Sequence, residues 1–177
     1  SVCNDIGVNQ KIPVAYFSLE MSSVQIGERL LSINSQIPLQ AIKTGSVDNW
    51  DNINHFASNI ANSNIFIDDQ PGLNPVMLRS RAKRMKLKYG VEMIVVDYLG
   101  LMRSVKESKN RNEEVQEISY NLKLIAKELE IPVIALSQLS RDVEKRGGAK
   151  RPVLSDLRDS GAIEQDADLI MFLYRPE

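Results

Sequence analysis

Of 177 residues, 43% are apolar and 25% charged, a balance that predicts one globular domain over 1–177 and excludes disorder as the default. Lys and Arg number 22 against 23 Asp and Glu, so binding of a polyanion would have to come from local basic clusters rather than from the global field. No apolar run approaches the roughly 20 residues of a bilayer crossing, and the opening SVCNDIGVNQ does not resemble a signal peptide. The single cysteine, Cys3, cannot form an internal disulfide; a cytoplasmic chain without membrane association is expected.

In chain order, the first apolar run, Val14–Leu19, reads as a buried strand. Ser22 with Gln25 has the pattern of a capping box opening a helix, whose stripe is Ile26, Leu30 and Ile33. Trp50, Ile53, Ala57 and Ile60 form a second stripe, in which Trp50 is expected in the core. The run Ile65–Ile67 is a second strand. Asn74-Pro75 reads as a cap and first turn of the helix striped by Leu78, Ala82, Met85 and Tyr89, and Gly90 follows its end. Met93–Val96, β-branched and without polar alternation, predicts a strand covered on both faces. Val115, Ile118, Leu122, Ile125 and Leu129 stripe a long helix before a fourth run, Val133–Leu136. Leu169–Tyr174 is the fifth predicted strand. Arg103–Asn112 and Arg141–Pro152 are polar, basic and without periodicity, and are assigned to loops. This alternation predicts an α/β fold: a mostly parallel sheet with helices on both faces.

Ligands of open parallel sheets sit beyond the carboxyl ends of the strands, so the polar residue that ends each run is informative. The runs end in Ser18-Leu19-Glu20, Asp68-Asp69, Asp97 and Ser137-Gln138. An acid after MIVV suits Mg²⁺ beside a nucleotide phosphate, and equally suits a cap or turn. Glu20 has the chemistry to orient or deprotonate water, and Gln138 can hydrogen-bond a terminal phosphate without adding charge. These are parts of a nucleotide-hydrolysing site. Asp68 and Asp69 are read as caps or braces. His55 lacks partners at ligand spacing, which argues against a zinc or catalytic role. No GxxxxGK[ST] occurs, and none of the nine glycines precedes a lysine, so the backbone cradle of a P-loop is absent from these residues. The chain is expected to begin downstream of such a loop and of its strand, and to be weakly stable by itself.

The stretches FSLEMS (17–22), KTGS (43–46) with Trp50, IDD (67–69), IVVDYLGLM (94–102), IPVIALSQLSR (131–141) and RPVLSDLRDSGAIEQDADLIMFLYR (151–175) resemble the replicative DNA helicases of the DnaB type. Their motor is a RecA-like P-loop NTPase domain that assembles into a hexameric ring. The resemblance runs from about Pro13 to the end, and LSDLRDSGAIEQDAD is its most specific part. It implies ATP and Mg²⁺ as cofactors, and Glu20 as the residue polarising the attacking water. It makes Asp97 the Walker B aspartate supporting the metal, Gln138 the sensor of the γ-phosphate, and Arg29 a neighbour of bound nucleotide, with a surface salt bridge as its alternative. Single-stranded DNA is the implied ligand, followed by Arg158, Asp159 and Gly161 of the LRDSG turn, the last two through the main chain. Lys106, Lys109, Arg141, Lys145, Arg146, Lys150 and Arg151 either face the ring channel or lie on solvated loops. The basic helix 75–89 is expected to be solvated or subunit-facing. Primase and a helicase loader are implied partners, and 5′-to-3′ translocation comes from the resemblance alone. The family's arginine finger is expected beyond Glu177. Two alternatives stand beside this reading: a catalytically silent DNA-binding or ring-packing module, which is expected of the 177 residues alone, and a phosphoacceptor receiver domain, which leaves LSDLRDSGAIEQDAD unexplained.

Overall fold

The computed structural model describes residues 2–105, 110–140, 142–146, 150–157 and 161–175. Four strands, β1 (Val14–Ser18), β2 (Ile65–Asp68), β3 (Met93–Asp97) and β4 (Val133–Ala135), form one parallel sheet in the order β2-β1-β3-β4. The helices are α1 (Val2–Asn4), continued by a π-helical turn over Asp5–Asn9, α2 (Ser23–Ser35), α3 (Leu39–Thr44), α4 (Trp50–Ala61), α5 (Pro75–Tyr89), α6 (Arg111–Leu129), α7 (Asp142–Lys145) and α8 (Gly161–Asp166).

The helix ends are set by local chemistry. Ser22 and Gln25 close a reciprocal capping box on α2, satisfying two backbone donors that a helix start would otherwise leave unpaired. Asn74 accepts from Met77 N–H, with Pro75 in the first turn of α5, and Gly90 ends that helix at φ 67°, a left-handed conformation that costs glycine least.

Alternation along β1 and β3 divides the apolar residues between two faces. Ala15, Phe17, Ile94 and Val96 join Leu78 and Ala82 of α5 and Val115, Ile118, Leu122, Ile125 and Leu129 of α6 in the main core. On the opposite face Val14, Met93 and Val95 meet Cys3 and Ile6 in a smaller cluster, with Tyr16 and Ile134 beside it. This second cover is held by short-range fits: Asn34 of α2 donates to Asn4 at 2.6 Å, and a Cβ on Gly7 would collide with the Ile65 side chain and force it to move.

Leu169–Tyr174 is not a strand; the run has no ladder partner among the described residues, and Leu173 is 94% exposed. An apolar run becomes a strand only where a neighbour supplies hydrogen bonds, and the outer edge of β4 offers no such pairing to it. Trp50 also departs from expectation at 51% exposed, since only Ile53 of the α4 stripe is buried. The loop expected over Arg103–Asn112 yields its last two residues to α6, and that over Arg141–Pro152 contains the single turn α7.

Candidate functional site at the β1/β3 reversal

From β1 the chain moves outward to β2, then returns across β1 to β3, so the direction of winding reverses between β1 and β3. The crevice outside the carboxyl ends at such a reversal is where open α/β sheets bind ligands. Ser18 lies opposite Asp97 in register, and Leu19 N–H donates to the Asp97 carbonyl at 2.7 Å. Ser18 is buried; its hydroxyl donates to Met21 O at 2.6 Å and accepts from Met21 N–H at 3.2 Å. That closes a tight turn with Glu20 inside it, exposed to solvent. Asp69, at the end of β2, accepts from Ser23 N–H at 2.6 Å and so braces the start of α2. Asp68 pairs with Arg81 of α5 at 2.9 Å. Both acids are therefore braces, as expected of them.

Asp97, half-buried, accepts a 2.5 Å hydrogen bond on Oδ2 from the Tyr16 hydroxyl. Burial, then this bond and the Asp97 charge, push the Tyr16 phenol far above the usual tyrosine range, and the positive charge of Arg29 pulls the other way. Tyr16 thus stays a protonated donor. Arg29, exposed on α2, lies near enough for its charge to act on Tyr16. Burial likewise pushes the Cys3 thiol up, so it is a packed residue rather than a nucleophile. A single carboxylate with one oxygen left without a partner among the described residues suits Mg²⁺, which keeps most of its waters and shares phosphate oxygens.

β4 brings the third element to this edge. Leu136 N–H donates to Val96 O at 3.0 Å and Leu99 N–H to Leu136 O at 2.9 Å, and Gln138 follows two residues on, exposed. The parallel strands therefore place Glu20, Asp97 and Gln138 on one edge of the sheet. Beyond it, Leu139 bridges Leu157 in antiparallel fashion, and Ser140 N–H donates to Asp156 O at 2.8 Å. Asp156, only 4% exposed, also accepts from Val153 N–H at 2.8 Å and pairs with Arg146. The Val153 N–H first, then Arg146, hold its carboxyl below the usual aspartate range. Arg146 is thus committed to a structural acid and is not a free loop cation. Arg151 lies with its guanidinium 6.0 Å from the Tyr174 ring centre.

Gly161 opens α8 with open space around its Cα. Arg158, Asp159, Lys106, Lys109 and Arg141 lie outside the described residues. Much of the basic surface of α5 is internally engaged: Arg79 and Lys83 meet Glu128, Arg81 meets Asp68, and Lys86 donates to Leu129 O. His55 contacts the Phe56 ring edge-on and lies 3.2 Å from the Asn59 amide. Sequence reasoning missed Tyr16 and Asp156. Tyr16 sits in an apolar run, where only its hydroxyl hinted at a polar partner; the one local signal for Asp156 was its place three residues after Val153, whose N–H it accepts.

The family described as DnaB-like helicase C terminal domain matches residues 1–177. The replicative DNA helicase DnaB of Rickettsia prowazekii is 49% identical over 185 aligned residues, covering all of this chain and 38% of that protein. The Bacillus subtilis replicative DNA helicase DnaC is 44% identical, with all of this chain and 39% of that protein covered. Among solved structures, one ATPase domain superposes with a TM-score of 0.92 at 39% identity, covering 98% of this chain and 62% of the other. A DnaB-like replicative helicase, solved in work on its interactions with primase, gives 0.89 at 40% identity, covering 95% and 41%. These likenesses establish the RecA-like α/β architecture. This chain spans a little over a third of the length of the curated relatives.

Proposed function

We infer that this chain, which belongs to the DnaB-like helicase C-terminal domain family, supplies the water-activating and metal-supporting edge of an ATP-driven motor that translocates on single-stranded DNA. The observation that carries this reading is the β1/β3 reversal, where Ser18 and Asp97 lie in register and Glu20 follows in the next turn. A family match implies nucleotide binding; ATP and Mg²⁺ are the specific proposal. Asp97 would be the residue holding Mg²⁺, which when bound would supply neutralisation of charge on the transferred phosphoryl group. Asp97 would hold the hydrated ion through a carboxylate fixed by Tyr16. Glu20, kept in its turn by the Ser18 hydroxyl, would orient the attacking water and draw its proton. Gln138, on the same edge, would sense the terminal phosphate. Because the main chain immediately after it is tied to Asp156 through Ser140, a shift there would reach Asp156.

Arg158, Asp159 and Gly161 are proposed, all three by resemblance, to follow the DNA backbone. A main-chain N–H donates to phosphate whatever charge its own side chain carries. Hexameric assembly, 5′-to-3′ direction, and contact with primase and a loader are proposed on the same family basis. In a full-length helicase carrying this segment, Glu20→Gln should retain nucleotide binding and lose ATP turnover by roughly 10²-fold or more; near-normal turnover would overturn the role of Glu20.

A second reading applies to the 177 residues by themselves. They hold no GxxxxGK[ST], and so the isolated chain should be catalytically silent, acting at most in DNA binding or ring packing. ATP turnover above a no-protein control would contradict this.

A further inference from the structure

Tyr16 and Asp97 are 81 positions apart in the chain and joined by one 2.5 Å hydrogen bond. Their meeting follows from register. Tyr16 is opposite Val95, so on that face Asp97 lies one side-chain step further toward the carboxyl edge. The phenol spans that step. Its ring rests beside the cluster of Cys3, Val14, Met93 and Val95, and the hydroxyl reaches Oδ2 alone. Among the described residues Oδ1 has no hydrogen-bond partner.

We propose that Tyr16 is a positioning residue for the reaction: its hydroxyl fixes the Asp97 carboxylate so that Oδ1 stays presented to the hydration shell of the nucleotide-bound metal. This rests on the reading of Asp97 as the metal-supporting acid. A carboxylate at a strand end otherwise has several rotamers open to it, and each productive encounter with the metal would first have to order it. A short charge-assisted bond from a ring seated on an apolar bed removes that freedom before the nucleotide arrives. Phenylalanine tests the hydroxyl without disturbing the bed, since ring volume and apolar contacts are kept.

In a full-length helicase carrying this segment, binding of a fluorescent ATP analogue is titrated with MgCl₂ for the parent, Tyr16→Phe and Asp97→Asn, and again in EDTA, with a melting curve for each. Tyr16→Phe should raise the Mg²⁺ concentration for half-maximal binding roughly three- to tenfold, with the affinity in EDTA unchanged. Asp97→Asn should raise it further. An unchanged Mg²⁺ midpoint in Tyr16→Phe overturns the proposal, and a lowered melting temperature beside it would identify a merely structural strut. If Asp97→Asn also leaves the midpoint unchanged, the metal reading of Asp97 falls with it; if Asp97→Asn alone shifts, only the role of Tyr16 does.

Discussion

Met93–Val96 and Leu169–Tyr174 are comparably apolar, yet the first is buried throughout and the second lies largely in solvent. β3 has β1 on one side and β4 on the other, and helices over the sheet; the later run has no ladder partner among the described residues. β4, with one neighbour, is intermediate. Burial here follows the number of strand neighbours rather than the hydrophobicity of the run. In a parallel sheet the backbone must be satisfied before side chains can be packed away.

The comparison breaks most readily in the centre. Phe17→Ala, at a fully buried site between β1 and the main core, should cost about 3–5 kcal/mol by urea unfolding; a loss below about 1 kcal/mol would mean that the core is not packed as described. Arg81→Ala removes the partner of Asp68 where both side chains are largely covered, and should cost about 2 kcal/mol in the same assay. Ser22→Ala, which opens the capping box of α2, should cost about 1 kcal/mol. Leu173→Ser should fall within about 0.5 kcal/mol of the parent, and a large loss there would show that the run is packed in solution.

Acid sharpens the contrast at the other end of the site. Asp156 has a depressed carboxyl in the folded chain, so its stabilising contribution is present above the ordinary aspartate value of about 3.9 and is lost as pH falls through the lower folded value. Melting temperature against pH, parent minus Asp156→Asn, should therefore converge below about pH 4. A difference independent of pH would mean that the carboxylate charge contributes nothing.

Four strands, the capped helices and the acid-bearing edge were legible in the sequence because each has a local cause: an apolar run, a cap three residues from its partner, a polar residue at a strand end. The fifth predicted strand, Leu169–Tyr174, did not form, since pairing depends on a neighbour that a run cannot announce. Trp50 satisfied helical periodicity, but periodicity assigns a face and says nothing of whether another element covers it. Tyr16 and Asp156 were illegible for a related reason. Tyr16 meets Asp97 through strand register, and Asp156 meets Arg146 across the intervening residues.

The order β2-β1-β3-β4 also dictates when the site can exist during folding. Antiparallel neighbours can meet through a short hairpin, whereas β1 and β3 must close a loop holding α2, α3, α4, β2 and α5 before Ser18 finds Asp97. Non-local pairing of this kind is slow, because the chain entropy is lost before the contacts compensate for it. An intermediate lacking the β1–β3 pairing would lack the Tyr16–Asp97 bond, which forms only when the two distant strands have locked in register.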